Sequence, residues 1–72
     1  MPPLEAVPSE STGERIRRLR RARRMKQTAF ATNIGCSQAE LSRIESGDRP
    51  LTVSALGKIA AVLGVTPAAL LS

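Results

Sequence analysis

Aromatic and histidine side chains are nearly absent from this chain. Its 72 residues include one Phe and no Trp, Tyr or His, so the core of a single small domain must be aliphatic. The single cysteine excludes an intramolecular disulfide. Histidine, a glycine-rich phosphate loop and a cluster of metal ligands are all lacking, and these are the usual catalytic features. We therefore expect no enzymatic activity, no bound metal and no cofactor.

Long apolar segments are missing as well. No run approaches the ~20 residues of a membrane-spanning helix. The first residues have neither the basic region nor the apolar region of a secretory signal. A lone cysteine fits a reducing compartment. We expect a cytoplasmic protein with no membrane contact.

Positive charge is what the chain has in excess, with a net charge of +5 and a pI near 11.2. Between Arg15 and Lys26 there are eight basic residues and no acidic one. A solvated helix face is one explanation, but mutual repulsion along such a run lowers helix stability. A polyanionic partner explains the run better.

The first ten residues differ from the rest in composition. They contain three prolines and little hydrophobic periodicity, so residues 1–10 are predicted to form a flexible arm. The charged residues of this arm are Glu5 and Glu10, which argues against an arm that enters a nucleic-acid groove. Residues 11–72 are predicted to form the folded domain.

Helical signals fill residues 11–72, and no segment alternates as a β-strand does. Ser11 and Glu14 form an S-x-x-E capping box before the first helix, while Thr66 and Pro67 mark the start of the last. An all-α fold of five helices around one core is therefore predicted. The helices are expected from the Ser11 cap to about 23, over 27–34 and 38–46, from 53 to about 63, and from 67 onward.

Hydrophobic spacing predicts which side chains of the outer helices face the core. The set is Ile16, Leu19 and then Ala22 or Arg23 in the first helix, Met25 after it, and Val53, Leu56, Ile59 or Ala60, and Leu63 in the fourth. Three apolar residues near the end, Val65, Leu70 and Leu71, exceed what one small core requires. They either close the core against the first helix or form a dimer interface.

The segment 27–44 reads as two short helices separated by one glycine. Phe30 and Ile34 are four residues apart and share a helix face, while Leu41 and Ile44 form the inner stripe of the next helix. Gly35 lies between the stripes, where a sharp turn requires a positive φ that glycine adopts easily.

Three small residues complete this pattern. Ala31 falls where the two helices should cross, and its methyl group permits a close approach. Cys36 is an apolar residue just after the turn, and a core role is favoured over a redox role. Ser37 is positioned to cap the second of the two helices, with Glu40 as its capping-box partner.

This pattern resembles the helix-turn-helix of the phage-repressor family, which is Cro- and lambda-repressor-like and often called XRE-type. Eight positions carry the match: Gln27, Phe30, Ala31, Ile34, Gly35, Cys36, Leu41 and Ile44. The segments 13–16 and 45–48 extend it, so that it covers roughly residues 13–71. The resemblance implies a five-helix DNA-binding domain that regulates transcription. It also implies a homodimer that reads a pseudo-palindromic site, with half-site centres about 34 Å apart.

In such a domain the third helix enters the major groove of double-stranded DNA. The residues of that helix expected to contact bases are Gln38, Ala39, Ser42 and Arg43. By resemblance Gln38 would bind adenine, although a solvated Gln is the alternative. Glu40 would complete the cap or accept from cytosine, and the cap is favoured because phosphates repel a carboxylate.

Phosphate contacts are expected around this helix. By resemblance the side chain of Gln27 meets Gln38, while its backbone N–H, at a helix N-terminus, meets a phosphate. The other phosphate candidates are Arg17, Arg49, Lys26 and Arg24.

Arg20 and Glu45 match a partly buried salt bridge of the family. A DNA contact by Arg20 is the less favoured alternative.

The competing function is a protein-interaction module, such as an antitoxin whose basic first helix binds an acidic toxin. A regulator of this build would act by occupying DNA, and it would either block RNA polymerase or touch it.

Overall fold

The computed structural model describes residues 10–71. Within that range the chain forms five α-helices and no strand, as predicted. The helices are α1 (Thr12–Ala22), α2 (Gln27–Ile34), α3 (Gln38–Ser46), α4 (Val53–Leu63) and α5 (Pro67–Leu71). The arm predicted for residues 1–10 lies outside the described residues, except for Glu10.

The caps explain why the helices begin where they do. Ser11 and Ser37 each accept a hydrogen bond from the backbone N–H three residues on, and a glutamate closes both capping boxes. Thr52 caps α4 in the same way, at 3.1 Å from the backbone nitrogen of Ala55. Lys26 precedes α2 and makes no side-chain cap.

Left-handed residues end the helices. Gly35, Gly47 and Gly64 follow α2, α3 and α4 with φ of 76°, 86° and 73°. Among residues 10–71, the one non-glycine residue with positive φ is Arg24, at 56° in the turn between α1 and α2. An L-residue is strained in this region, because its Cβ crowds the carbonyl oxygen that follows.

The core is aliphatic apart from Phe30, which is fully buried. All five helices contribute to it: the buried set is Ile16, Phe30, Ala31, Ile34, Leu41, Ile44, Ile59, Ala60, Leu63 and Leu70. Met25 and Cys36 pack against this set in partly buried positions, as predicted.

Two predictions about the inward faces are wrong. Val53 is 88 % exposed. It is the first residue of α4, and helical side chains lean toward the N-terminus, so it points past the end of the core. Ala22 and Arg23 are exposed too. Arg20, four residues after Ile16, takes the inward position instead.

The three apolar residues near the C-terminus differ in how deeply they are buried. Leu70 is fully buried, so of its two alternatives it takes the one that closes the core, where α5 packs on α1 and α4. Val65 is half-buried against the core. Leu71 is 60 % exposed.

At Gly13 the backbones of α1 and α3 approach each other closely. A Cβ built there would lie 2.5 Å from the carbonyl oxygens of both Ile44 and Glu45. Helix backbone cannot move aside as a side chain does. The absence of a side chain at Gly13 therefore sets the position of α3 relative to α1.

Candidate nucleic-acid interface

The helix pair α2–α3 is joined by a tight turn. Ala31 is buried where the helices meet, and its carbonyl accepts the backbone N–H of Cys36 at 3.0 Å. Burial raises the pKa of the Cys36 thiol, and the nearby Glu40 carboxylate adds to this. The thiol is therefore less often ionised than an exposed one, which favours a packing role over a redox role.

The N-terminus of α3 is held by its capping box. Glu40 Oε1 accepts the backbone N–H of Ser37 at 3.0 Å, and Glu40 Oε2 lies 3.1 Å from Arg49 Nη2. The hydrogen bond from Ser37 and then the charge of Arg49 lower the pKa of Glu40. The Glu40 carboxylate is thus engaged within the protein, which supports the cap over a contact with cytosine.

The four residues predicted to contact bases form one surface of α3, which we call the reading strip: Gln38, Ala39, Ser42 and Arg43. Gln38 and Ser42 lie four residues apart on one line of the helix, as do Ala39 and Arg43 on the next. Three of the four are exposed, and Ser42 is half-buried. The strip is therefore accessible along a length of more than one turn.

A chain of hydrogen bonds leads from the reading strip into the core. Gln38 Nε2 donates to Gln27 Oε1 at 2.7 Å, and Gln27 Nε2 donates to Glu45 Oε1 at 2.9 Å. Arg20 donates two parallel bonds to Glu45, from Nε to Oε2 at 2.7 Å and from Nη2 to Oε1 at 3.1 Å. Arg20 also donates to the backbone carbonyl of Met25 at 2.7 Å.

The Arg20–Glu45 pair is enclosed, with the two side chains 7 % and 0 % exposed. Burial alone would raise the pKa of Glu45, but the hydrogen bonds from Arg20 and Gln27 outweigh it, and the pKa lies below its ordinary value. Arg17 Nε lies 3.5 Å from Glu45 Oε1 on the exposed side of the pair. Glu45 is therefore ionised at neutral pH and joins α1, α2 and α3.

The structure divides the basic residues into two groups. Five arginines are paired: Arg15 and Arg18 with Glu10, Arg17 and Arg20 with Glu45, and Arg49 with Glu40. No acidic side chain of residues 10–71 lies within ion-pair distance of the other six: Arg21, Arg23, Arg24, Lys26, Arg43 and Lys58. Four of these six lie in the last turn of α1 or in the turn before α2. The uncompensated positive charge is thus concentrated near the start of the helix-turn-helix.

Residues 10–71 contain no group of His, Cys, Asp and Glu side chains arranged to hold a metal ion. None of their helices combines the length and the hydropathy needed to cross a bilayer.

Comparison with known proteins identifies the family. The model of a helix-turn-helix domain matches residues 12–71, which is nearly all of the described chain. The chain belongs to the XRE-type helix-turn-helix family. The resemblance stated from the eight motif positions is thereby confirmed, and so is the all-α fold. This helix-turn-helix domain is of the kind found in DNA-binding transcription regulators.

Among curated proteins, the domain is similar to the HTH-type transcriptional regulator RamB of Mycobacterium tuberculosis, in two strains. The two sequences are 43 % identical over 53 residues, which is 74 % of this chain and 11 % of RamB. The domain therefore spans about a ninth of the length of that relative.

Solved structures give the same fold. The P22 c2 repressor in complex with a synthetic operator superposes with a TM-score of 0.84 at 26 % identity, over 89 % of this chain and 97 % of that one. The restriction-modification controller C.AhdI from Aeromonas hydrophila gives 0.80 at 26 % identity, with the same coverage. The biofilm regulator SinR in complex with DNA gives 0.79 at 29 % identity, over 85 % and 98 %.

Three features of this helix-turn-helix domain were not predicted from the sequence. Gly13 is a close-approach site, Glu10 pairs with α1, and Arg15 Nη1 donates to the carbonyl of Ala69 at 2.9 Å. A glycine within the first turn of a predicted helix was a signal for the first, because glycine weakens helices. The other two join distant or unpatterned residues, and nothing in the sequence marks them.

Proposed function

We propose that the chain is a sequence-specific transcription regulator that inserts α3 into the major groove, as a homodimer on a pseudo-palindromic operator. The observation that carries the proposal is the accessible reading strip beside uncompensated cations. A major groove admits one helix, and its N-terminal side chains meet base edges. Two of the similar solved structures are complexes with DNA, which supports the same use of α3 here.

Gln38 is positioned for an adenine by its contact with Gln27. The Gln38 amide has two donor hydrogens and one oxygen. Because Gln27 Oε1 takes one hydrogen, the second hydrogen and the oxygen remain for adenine N7 and N6. Glu45 accepts the amide N–H of Gln27 and thereby turns the Gln27 oxygen toward Gln38.

The rest of the reading strip supplies complementary chemistry. Arg43 is exposed and has no acidic partner among residues 10–71, so it is available to guanine O6 and N7 or to a phosphate. Ala39 offers a methyl group for contact with a thymine methyl. Ser42 donates to a base or to a phosphate.

Phosphate contacts would fix the orientation of α3 in the groove. The candidates are the backbone N–H of Gln27, together with Arg17, Arg24, Lys26 and Arg49. Arg24 and Lys26 have no acidic partner among residues 10–71 and lie just before α2. Arg49 would exchange its pairing with Glu40 for a phosphate, and Arg17 would keep its contact with Glu45.

Selection from a random DNA pool tests the proposal. We expect the wild type to enrich an inverted repeat at both low and physiological salt. The double variant Gln38→Ala/Arg43→Ala should lose that enrichment, because it removes two base-reading side chains from an exposed surface. Lys58→Ala is the matched control for charge, since Lys58 is exposed on α4, and it should enrich the same repeat.

Two results would contradict the proposal. One is binding that is lost as the salt concentration rises and that enriches no sequence, because such binding reflects attraction to phosphates alone. The other is a double variant that enriches the wild-type repeat, because α3 would then not be the reader.

The dimer is tested separately through Leu71. Leu71 is exposed at the end of α5, and a glutamate there would place a charge in an apolar contact. Sedimentation of Leu71→Glu should give a monomer where the wild type gives a dimer. An unchanged dimer would move the interface away from α5.

A further inference from the structure

The surface of α1 that faces away from the core has its own chemistry. At 100° per residue, Arg18 lies roughly 200° around the helix from the buried Ile16. Arg21 and Glu14 lie on the same side, and all three are exposed. We call this surface, with Arg17 at its edge, the outer face of α1.

A carboxylate already occupies part of this outer face. Arg18 donates from Nε to Glu10 Oε2 at 2.7 Å and from Nη2 to Glu10 Oε1 at 3.0 Å, and Arg15 adds a bond from Nε at 3.2 Å. The two parallel bonds of a guanidinium fork match the plane of a carboxylate. The contact from Arg18, followed by that from Arg15, lowers the pKa of Glu10 to about 2.

Next to this pair lies a shallow cavity of about 380 Å³, lined by Glu10, Glu14, Arg17, Arg18 and Arg21. Its acids are both engaged, since Glu14 Oε1 accepts the backbone N–H of Ser11 at 2.8 Å. Arg21 has no acidic partner among residues 10–71. The cavity therefore has room for a further carboxylate beside a free guanidinium.

The outer face and the reading strip point in different directions. Gly13 and Arg20 meet α3, through its backbone and through Glu45, and Arg17 at the edge of the outer face lies 3.5 Å from Glu45 Oε1. Arg18 lies roughly 160° around α1 from Arg20. A duplex bound by α3 would lie on the α3 side, where Arg17 borders the cavity, and would leave Arg18 and the rest of the cavity open.

We propose that the outer face of α1 docks a carboxylate-rich segment of a partner protein while α3 is bound to DNA. One acidic side chain of the partner would enter the cavity and meet Arg21. A second would compete with Glu10 for Arg18. Glu10 then sets the strength of docking, because it neutralises Arg15 and Arg18 when no partner is present.

A short fluorescent poly-glutamate peptide is the probe, and its binding is followed by fluorescence anisotropy. Arg21→Gln should weaken binding about threefold or more, as expected for one lost surface ion pair. Lys58→Gln removes one positive charge from α4 and should change affinity less than about twofold. Glu10→Gln should tighten binding about threefold. Asp48→Asn removes one acid elsewhere and should change it less than about twofold.

The same variants separate the proposal from general charge attraction. Equal effects of Arg21→Gln and Lys58→Gln would overturn it, and so would equal effects of Glu10→Gln and Asp48→Asn. Absence of peptide binding to the wild type at low salt would also overturn it. Thermal unfolding of each variant verifies that the fold is kept.

A second measurement asks whether the peptide and DNA bind together. The protein is saturated with the duplex enriched in the selection and then titrated with the peptide. Retained peptide affinity is the expected result, and displacement by the duplex would assign the outer face to the DNA surface. The titrations without DNA stand by themselves, so a failed selection would refute the DNA reading and leave the docking test intact.

Discussion

Replacing Gly13 by alanine should push α1 away from α3. The new Cβ would lie 2.5 Å from the carbonyl oxygens of Ile44 and Glu45, and 2.9 Å from the Glu45 carbonyl carbon. Ordinary carbon–oxygen contacts are about 3.3–3.6 Å. The atoms in the way are helix backbone, so one helix must shift as a body by several tenths of an ångström.

The cost can be estimated from overpacking, which destabilises by about 1–3 kcal/mol. Alanine recovers at most about 1 kcal/mol through its better helix propensity. The net loss should be about 1–2 kcal/mol. For a domain of this size that corresponds to a fall in Tm of roughly 5–15 °C. DNA affinity should fall as well, because the shift moves the reading strip relative to α1.

Gly57→Ala is the matched control for Gly13→Ala. Gly57 lies in the interior of α4, and a Cβ added there would have no neighbouring atom within 4 Å. The same substitution there should stabilise by about 0.5–1 kcal/mol. Thermal unfolding by circular dichroism compares the two variants. A Gly13→Ala protein that melts at or above the Tm of Gly57→Ala would refute the close approach of α1 and α3.

Three further predictions concern charged residues. Arg20→Ala should lower the free energy of unfolding by about 3–5 kcal/mol, because it leaves Glu45 buried without its partner. Arg21 is exposed, so Arg21→Ala should cost under about 0.5 kcal/mol. Equal midpoints of urea unfolding for the two variants would contradict the buried pair. Arg24→Gly should raise the free energy of unfolding by up to about 1 kcal/mol, because glycine adopts the positive φ without strain. It should also weaken DNA binding and reduce the slope of log K against log salt concentration by about one. Unchanged DNA affinity would remove Arg24 from the phosphate contacts. The lowered pKa of Glu10 predicts stability that is present above its ordinary value of 4.5 and is lost as the pH falls toward about 2. The free energies of unfolding of wild type and Glu10→Gln should differ above pH 4.5 and converge as the pH falls toward about 2. A difference that stays constant with pH would mean that the ion pairs do not form in solution.

The five helices and their bounds were predictable because their signals are local. A capping box such as Ser11 with Glu14 involves residues three apart, and a glycine such as Gly35 ends a helix through its own φ. The motif positions of α2 and α3 were also readable, since helix spacing places Phe30 and Ile34 on one face whatever surrounds them.

Positions at the edges of the core were not predictable in this way. Val53 and Leu70 are both apolar and both fit a helical stripe, yet one is exposed and the other fully buried. Hydrophobic spacing tells which side of a helix faces inward, but not how far along the helix the neighbouring elements reach. That extent depends on how α1, α4 and α5 pack together.

The sequence alone predicts the helix-turn-helix, its glycine turn and the residues of the reading strip, because each depends on neighbours within about one or two helical turns. The family resemblance predicted one ion pair, Arg20 with Glu45, whereas the other pairs and the unpaired basic residues emerge only from the tertiary structure. Glu10 and Glu45 each bind arginines of α1, but Glu45 comes from a different helix, and its partners are brought close only when α1 packs on α3 at Gly13. Electrostatic pairing acts through space at a few ångströms and falls steeply with distance and exposure to water. The division of the basic run into paired and uncompensated residues therefore follows from the fold.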